Sequence, residues 1–113
     1  MSNEILSAIA DLARLRRIDL RPEWADGASA VQRDDEAAID DVCKAIGWPP
    51  ASHYEDDPRA HEFPLLVYHD RYGWGVVERV EESNRLQVVK NGLSTSWDDV
   101  GQARVYDLTI PLP

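Results

Sequence analysis

A single cysteine, Cys43, is the sharpest nucleophile available to this chain of 113 residues. Thiolate catalysis needs a nearby imidazole and a partly exposed, electropositive setting that lowers the thiol pKa. Cys43 lies instead beside Asp41, far from a helix N-terminus, on the apolar stripe Ile39, Val42, Cys43 and Ile46. That spacing makes it helix core. Three histidines, His53, His61 and His69, are spread evenly, with Asp56 and Asp57 between the first two. Zinc sites put two ligands on one element through i, i+4 or other short spacings, and no two of the histidines are so spaced, so solvated histidines and no metal are expected. Carboxylates crowd at Glu55-Asp56-Asp57 and at Asp98-Asp99. Adjacent carboxylates seldom face each other for acid–base work, so the first run reads as a solvated loop and the second as the start of a short helical turn. No glycine-rich phosphate loop is present, and no cofactor is expected.

The aromatic residues are the remaining binding chemistry: Trp24, Trp48, Tyr54, Tyr68, Tyr72, Trp74, Trp97 and Tyr106. Half or more belong to a core or its rim, because sheets are enriched in such side chains. Tyr68, Tyr72 and Trp74 differ in clustering around one hairpin turn, where burial from both sides is difficult. They are the expected partner-binding surface.

These residues must be held by elements that the periodicity identifies. Ile5, Leu6, Ile9, Leu12 and Ala13 form one helical stripe, with Ser2 or Asn3 as cap, Glu4 in the first turn, and Arg14, Arg16 and Arg17 at the negative end of the dipole. Pro22 and Gly27 bracket a short helical turn, Pro22 to Asp26, carrying Trp24. A second long helix is expected from Asp34 or Asp35 to Gly47, stopped before Pro49 and Pro50. The polar stretch His53 to Glu62 reads as a loop. Strand signals follow at Phe63 to His69, Trp74 to Val80, Leu86 to Lys90, Leu93 to Trp97 and Val105 to Leu112. Asp70 to Gly73 and Glu81 to Asn84 suit tight turns, and Asn91-Gly92 is the strongest hairpin signal. Helices first and strands later predict an α+β fold: helices of residues 1–50 packed on an antiparallel sheet of about five strands in residues 63–112.

Length predicts one domain, 1–113, and the 43% hydrophobic composition supports a core. No apolar run approaches the ~20 residues of a membrane span, so direct membrane insertion is not expected. The absence of a signal-like start and of a second cysteine points to a reducing cytosol. A formal charge of -9 repels phosphate backbones, which argues against nucleic acid as partner.

Three stretches together resemble the papain-like peptidase domain that precedes bacterial peptide-exporting ABC transporters. The likeness is greatest to its degenerate, non-catalytic form at the N-terminus of type I secretion ABC transporters. ILSAIADLARLRRIDL, Ile5 to Leu20, is similar to that family's first helix and the extended segment after it. IDDVCKAIG, Ile39 to Gly47, is similar to its helix ending in an apolar-Gly pair. FPLLVYHDRYGWGVVERV, Phe63 to Val80, resembles its apolar-Pro strand, turn and following strand, continued by Asn84 to Lys90 and closed by Val105 to Leu112. In the active peptidases the nucleophilic cysteine starts the first helix, a histidine starts the second strand, and an aspartate follows the next strand. The resemblance places these at Glu4, Trp74 and Lys90, none of which suits the chemistry. It therefore implies no enzyme activity, vestigial active-site positions at Glu4, Trp74 and Lys90, and a cleft where Tyr68, Tyr72 and Trp74 hold an exported polypeptide.

The implied partners are the secreted polypeptide and the transporter's own membrane and nucleotide-binding domains, at the cytosolic face of the inner membrane. Pro111-Leu112-Pro113 would then lead toward a membrane domain. The rival reading is a free-standing acidic inhibitor or immunity-type protein that masks a basic partner, suggested by the charge and the Met1 start. A cysteine peptidase using Cys43 ranks behind both.

Overall fold

The first long helix, α1, runs Glu4–Leu15 and buries Ile5, Ile9, Leu12 and Ala13 of the stripe read from the sequence, together with Ala8, while Leu6 of that stripe sits at its rim. It stops because Arg17 turns to a left-handed φ of 58°, which lets the Ile18 N–H donate to Ala13 O at 2.8 Å. The computed structural model describes residues 4–20, 24, 27, 37–98 and 101–109. Most of the short helical turn expected at Pro22 to Asp26 lies outside these, although Trp24 is helical and its ring stacks on Trp48 at 6.3 Å.

Helix α2, Ala38–Ile46, buries Ala38, Ile39, Val42 and Cys43 and ends at Gly47 in the left-handed region, with Trp48 N–H donating to Cys43 O at 2.9 Å. Its start differs from the expected one. Asp34 and Asp35 lie outside the described residues, and Ala37 occupies the N-cap without any side-chain hydrogen bond.

The strands are β1 Ser52–Asp56, β2 Leu65–His69, β3 Gly73–Val80, β4 Leu86–Lys90, β5 Leu93–Trp97 and β6 Ala103–Asp107. They form one antiparallel sheet in the order β1-β6-β2-β3-β4-β5, so the fold is α+β. It has six strands where about five were expected. The extra one, β1, takes up the first four residues of the stretch His53 to Glu62 read as a loop, and Ser52 before it. Its polar residues form a strand because β6 supplies the whole ladder, from Ser52↔Asp107 to Asp56↔Ala103, and an edge strand needs no apolar alternation to be held. A 3-10 turn, Pro58–Ala60, follows, capped by Asp57 accepting from the Arg59 backbone N–H at 3.0 Å. The last strand runs Ala103–Asp107 where Val105 to Leu112 was expected: it begins two residues earlier and stops at Asp107, with Leu108 and Thr109 outside it, and the rest of the expected span lies outside the described residues.

Alternation along the strands builds two cores. Leu66, Trp74, Val76 and Tyr106 face α1 and α2, while Leu65, Val67, Val77, Val88, Trp97 and Val105 bury against one another on the other face. Trp97 closes that second core by reaching across β4 to β3. A Cβ on Gly75 would meet Val88 Cγ1 at 2.6 Å and the Trp97 ring at 2.9 Å, so only glycine lets the indole lie there. Arg16 donates to Leu108 O at 3.2 Å and ties the end of α1 to the segment after β6.

Candidate functional site

Three segments converge at the N-terminal end of α1: Glu4 itself, the β2–β3 turn, and the end of β4. Lys90 Nζ stands 2.8 Å from Glu4 Oε1 and also donates to Tyr72 O at 2.8 Å and Trp74 O at 3.1 Å. Gly73, between those two carbonyls, has a φ of 79°, and a Cβ there would come 2.7 Å from Glu4 Oε2 and 3.3 Å from Lys90 Nζ. The ion pair therefore lies directly over Gly73 and needs it to be glycine. Both partners are partly buried, at 25% and 30% side-chain exposure. An ammonium saturated by one carboxylate and two carbonyls, and a carboxylate engaged by that ammonium, form a clasp. The pair contains no thiol and no imidazole.

The structure thus brings Glu4 and Lys90 together and sets the backbone carbonyl of Trp74 against Lys90, but it corrects the expected aromatic surface. Trp74 is 1% exposed and sits in the helix-facing core, edge-on to Tyr68 at 5.2 Å and 4.9 Å from the Tyr106 ring. Tyr68 is half-buried on that same side. Tyr72 belongs to the opposite core: its ring stacks on Trp97 at 4.8 Å and 12°, and its hydroxyl donates to Asp98 O at 2.9 Å. The three do not form one platform. Proximity of Tyr72 and Trp74 in sequence was misleading because Tyr72 belongs to the turn, before β3 begins at Gly73 with its positive φ of 79°, so the side-chain alternation of the strand does not extend to it.

Asp11 makes a long-range contact that the helical pattern concealed. It is 6% exposed, accepts from Gly92 N–H at 3.2 Å and from Arg14 Nη2 at 3.2 Å, and pins the middle of α1 to the β4–β5 turn. The sequence carried one half of the signal, an i, i+3 Asp-Arg pair, and none of the contact with residue 92.

The other candidate groups are separated. Cys43 lies buried on α2, and burial pushes its thiol up from the ordinary value, with Asp40 adding to the rise and the Ala51 backbone opposing it. His61 Nε2 is 2.9 Å from Asp56 Oδ2, His53 stacks on Tyr106 at 5.2 Å, and His69 Nδ1 accepts from the Arg71 N–H at 3.1 Å. Asp56 is held below the usual carboxylate range by the Asp57 backbone N–H and by His61. Among the described residues no three histidine, cysteine or carboxylate side chains gather as a metal site. Asp98 pairs with Arg85 at 2.7 Å; Asp99, and with it the helical turn expected there, lies outside the described residues. Arg59, Ser83, Asn84, Arg85, Asp98 and Gly101 line an open cleft of about 740 Å³, in which Arg59 Nε donates to Asn84 O at 2.9 Å. No described helix is long and apolar enough to cross a membrane.

No protein-family model matches the chain, and no curated protein is significantly similar to it. Among solved structures, the chain is similar to the crystal structure of the N-terminal peptidase C39 like domain of the toxin secretion ATP-binding protein from Vibrio parahaemolyticus. The TM-score is 0.64 at 12% identity, covering 96% of this chain and 99% of that one, so the two share a fold.

Proposed function

We propose that this chain is a non-catalytic, peptidase-like accessory domain of a type I secretion ABC transporter, which binds the unfolded export polypeptide on the cytosolic side. The observation that carries the reading is the Glu4–Lys90 ion pair at 2.8 Å. It occupies the two positions where the resemblance would put nucleophile and orienting acid, and a buried tryptophan, Trp74, stands where the base would be. A carboxylate attacking a peptide carbonyl would give an anhydride and not the acyl-thioester of a cysteine peptidase, and an indole cannot take a proton from a thiol. The likeness in fold to a domain of a toxin secretion ATP-binding protein supports the transporter context.

Two measurements test it. Incubation with mixed peptides leaves them intact, and cleavage that persists in Cys43→Ser would point to a nucleophile outside this scheme. A permanently unfolded, cysteine-carboxymethylated polypeptide binds the domain in fluorescence anisotropy, whereas its folded parent does not; equal binding of neither form removes the substrate-binding half of the reading.

The charge of -9 favours one rival, an acidic inhibitor of a basic partner. Salt separates the two. An electrostatically steered inhibitor loses association rate steeply as ionic strength rises, and a backbone or apolar contact with an unfolded chain does not.

A further inference from the structure

The sheet has two edges, and they are treated differently. β1 carries His53, Glu55 and Asp56, with Pro49 and Pro50 before it and Pro58 after it, which is how an edge is made unattractive to another strand. β5, at the opposite end of the order, reads Leu93-Ser94-Thr95-Ser96-Trp97 and holds no charge and no proline. Its first four residues are exposed, and Leu93, at 73%, is the large hydrophobic side chain left open to solvent among the described residues.

The hairpin register says which backbone groups point outward. Asn91 and Gly92 have φ of 53° and 77°, the pair of positive values of a two-residue type I′ turn, and Lys90 pairs with Leu93. The pair flanking such a turn exchanges both hydrogen bonds, so Leu93, Thr95 and Trp97 direct N–H and C=O to β4, while Ser94 and Ser96 direct theirs away from it. Ser96 Oγ donates to Glu81 Oε1 at 2.8 Å, which fixes the side chain and leaves the backbone of that residue facing outward.

We infer that the outer edge of β5 is a docking edge for an extended, uncharged stretch of another polypeptide, which adds to the sheet as an antiparallel or parallel seventh strand through Ser94 and Ser96. A second copy of this chain is disfavoured because it would bring another -9 of charge against the first. An unfolded polypeptide is the natural occupant: its own N–H and C=O groups are unpaired, and an uncharged edge selects by backbone and not by charge. The inference rests on the proposed function, for which it supplies the surface that Trp74 does not.

The probe is a fluorescent heptapeptide of alternating threonine and valine, with an N-methylated version blocked at every second residue, beside the carboxymethylated polypeptide. Ser96→Pro removes an outward N–H that β4 does not use, and Ser94→Lys keeps the backbone but charges the edge. Wild type binds the plain peptide and the polypeptide; Ser96→Pro or N-methylation weakens binding by about tenfold, the upper range for one backbone hydrogen bond. Ser94→Lys weakens it in the same direction with the fold intact. If the polypeptide binds wild type and both variants equally, the edge is overturned while the proposed function stands. If it does not bind wild type, both are overturned. Self-association of wild type abolished by Ser96→Pro would show a second copy as occupant and also overturn the inference.

Discussion

Lys90 holds the most informative position at the residue scale, because three oxygen atoms converge on one ammonium. Lys90→Met leaves a partly buried carboxylate and two carbonyls without that donor, and should lower stability by about 1–3 kcal/mol in urea unfolding. Glu4→Gln keeps a hydrogen-bonding group and should cost less. If Lys90→Met proves neutral, the clasp does not hold α1 to the sheet. Gly73→Ala acts on the same point through sterics, and the variant's loss should be partly relieved in the Glu4→Ala background, since the 2.7 Å approach to Glu4 Oε2 is then gone. Asp56 offers a pH prediction. Its folded pKa lies below its unfolded value, so it contributes stability at pH above the unfolded pKa, and that contribution is lost as pH falls through the folded one. Asp56→Asn should therefore flatten the acid limb of stability against pH; an unchanged acid limb would show that the hydrogen bonds to the carboxylate from the Asp57 backbone N–H and from His61 together have no energetic weight.

Trp74 decides what the elements can offer a partner. At 1% exposure between Tyr68 and Tyr106, its ring is a core group of β3, and Trp74→Ala should destabilise by about 3–5 kcal/mol. Urea midpoints measure this directly, and any loss of binding in that variant has to be read after the loss of fold. The elements themselves were legible to different degrees. The stripe of α1, the stop of α2 at Gly47, and the bounds of β4 and β5 around Asn91-Gly92 follow from local rules, because each is set by residues within a few positions of one another. β1 was not legible, since its only reason for being a strand is a partner some fifty residues away in sequence. The same holds for the site: Glu4, Trp74 and Lys90 could be picked out by resemblance, but the ion pair, the burial of Trp74 and the role of Asp11 depend on long-range packing that periodicity does not encode.

Charge is the property that belongs to the whole molecule. Most of the excess acid is at the surface, whereas the clasps that join α1 to the sheet, Glu4–Lys90 and Asp11 to Gly92 N–H, are partly or fully buried. Salt reaches these two populations unequally. A net -9 makes the folded state repel itself more than the expanded chain does, so screening should stabilise it. Raising salt from about 0.01 M to about 0.15 M shortens the Debye length from roughly 30 Å to roughly 8 Å, which spans the scale of distances across a domain of this size. The urea midpoint should rise over that interval with the m-value unchanged, and the increment should be nearly the same in Lys90→Met, because a partly buried pair is screened less than exposed charges are. A midpoint that falls with salt would mean that surface ion pairs such as Arg85–Asp98 and Arg104–Asp70 outweigh the net repulsion, and would assign the charge a stabilising role in the fold.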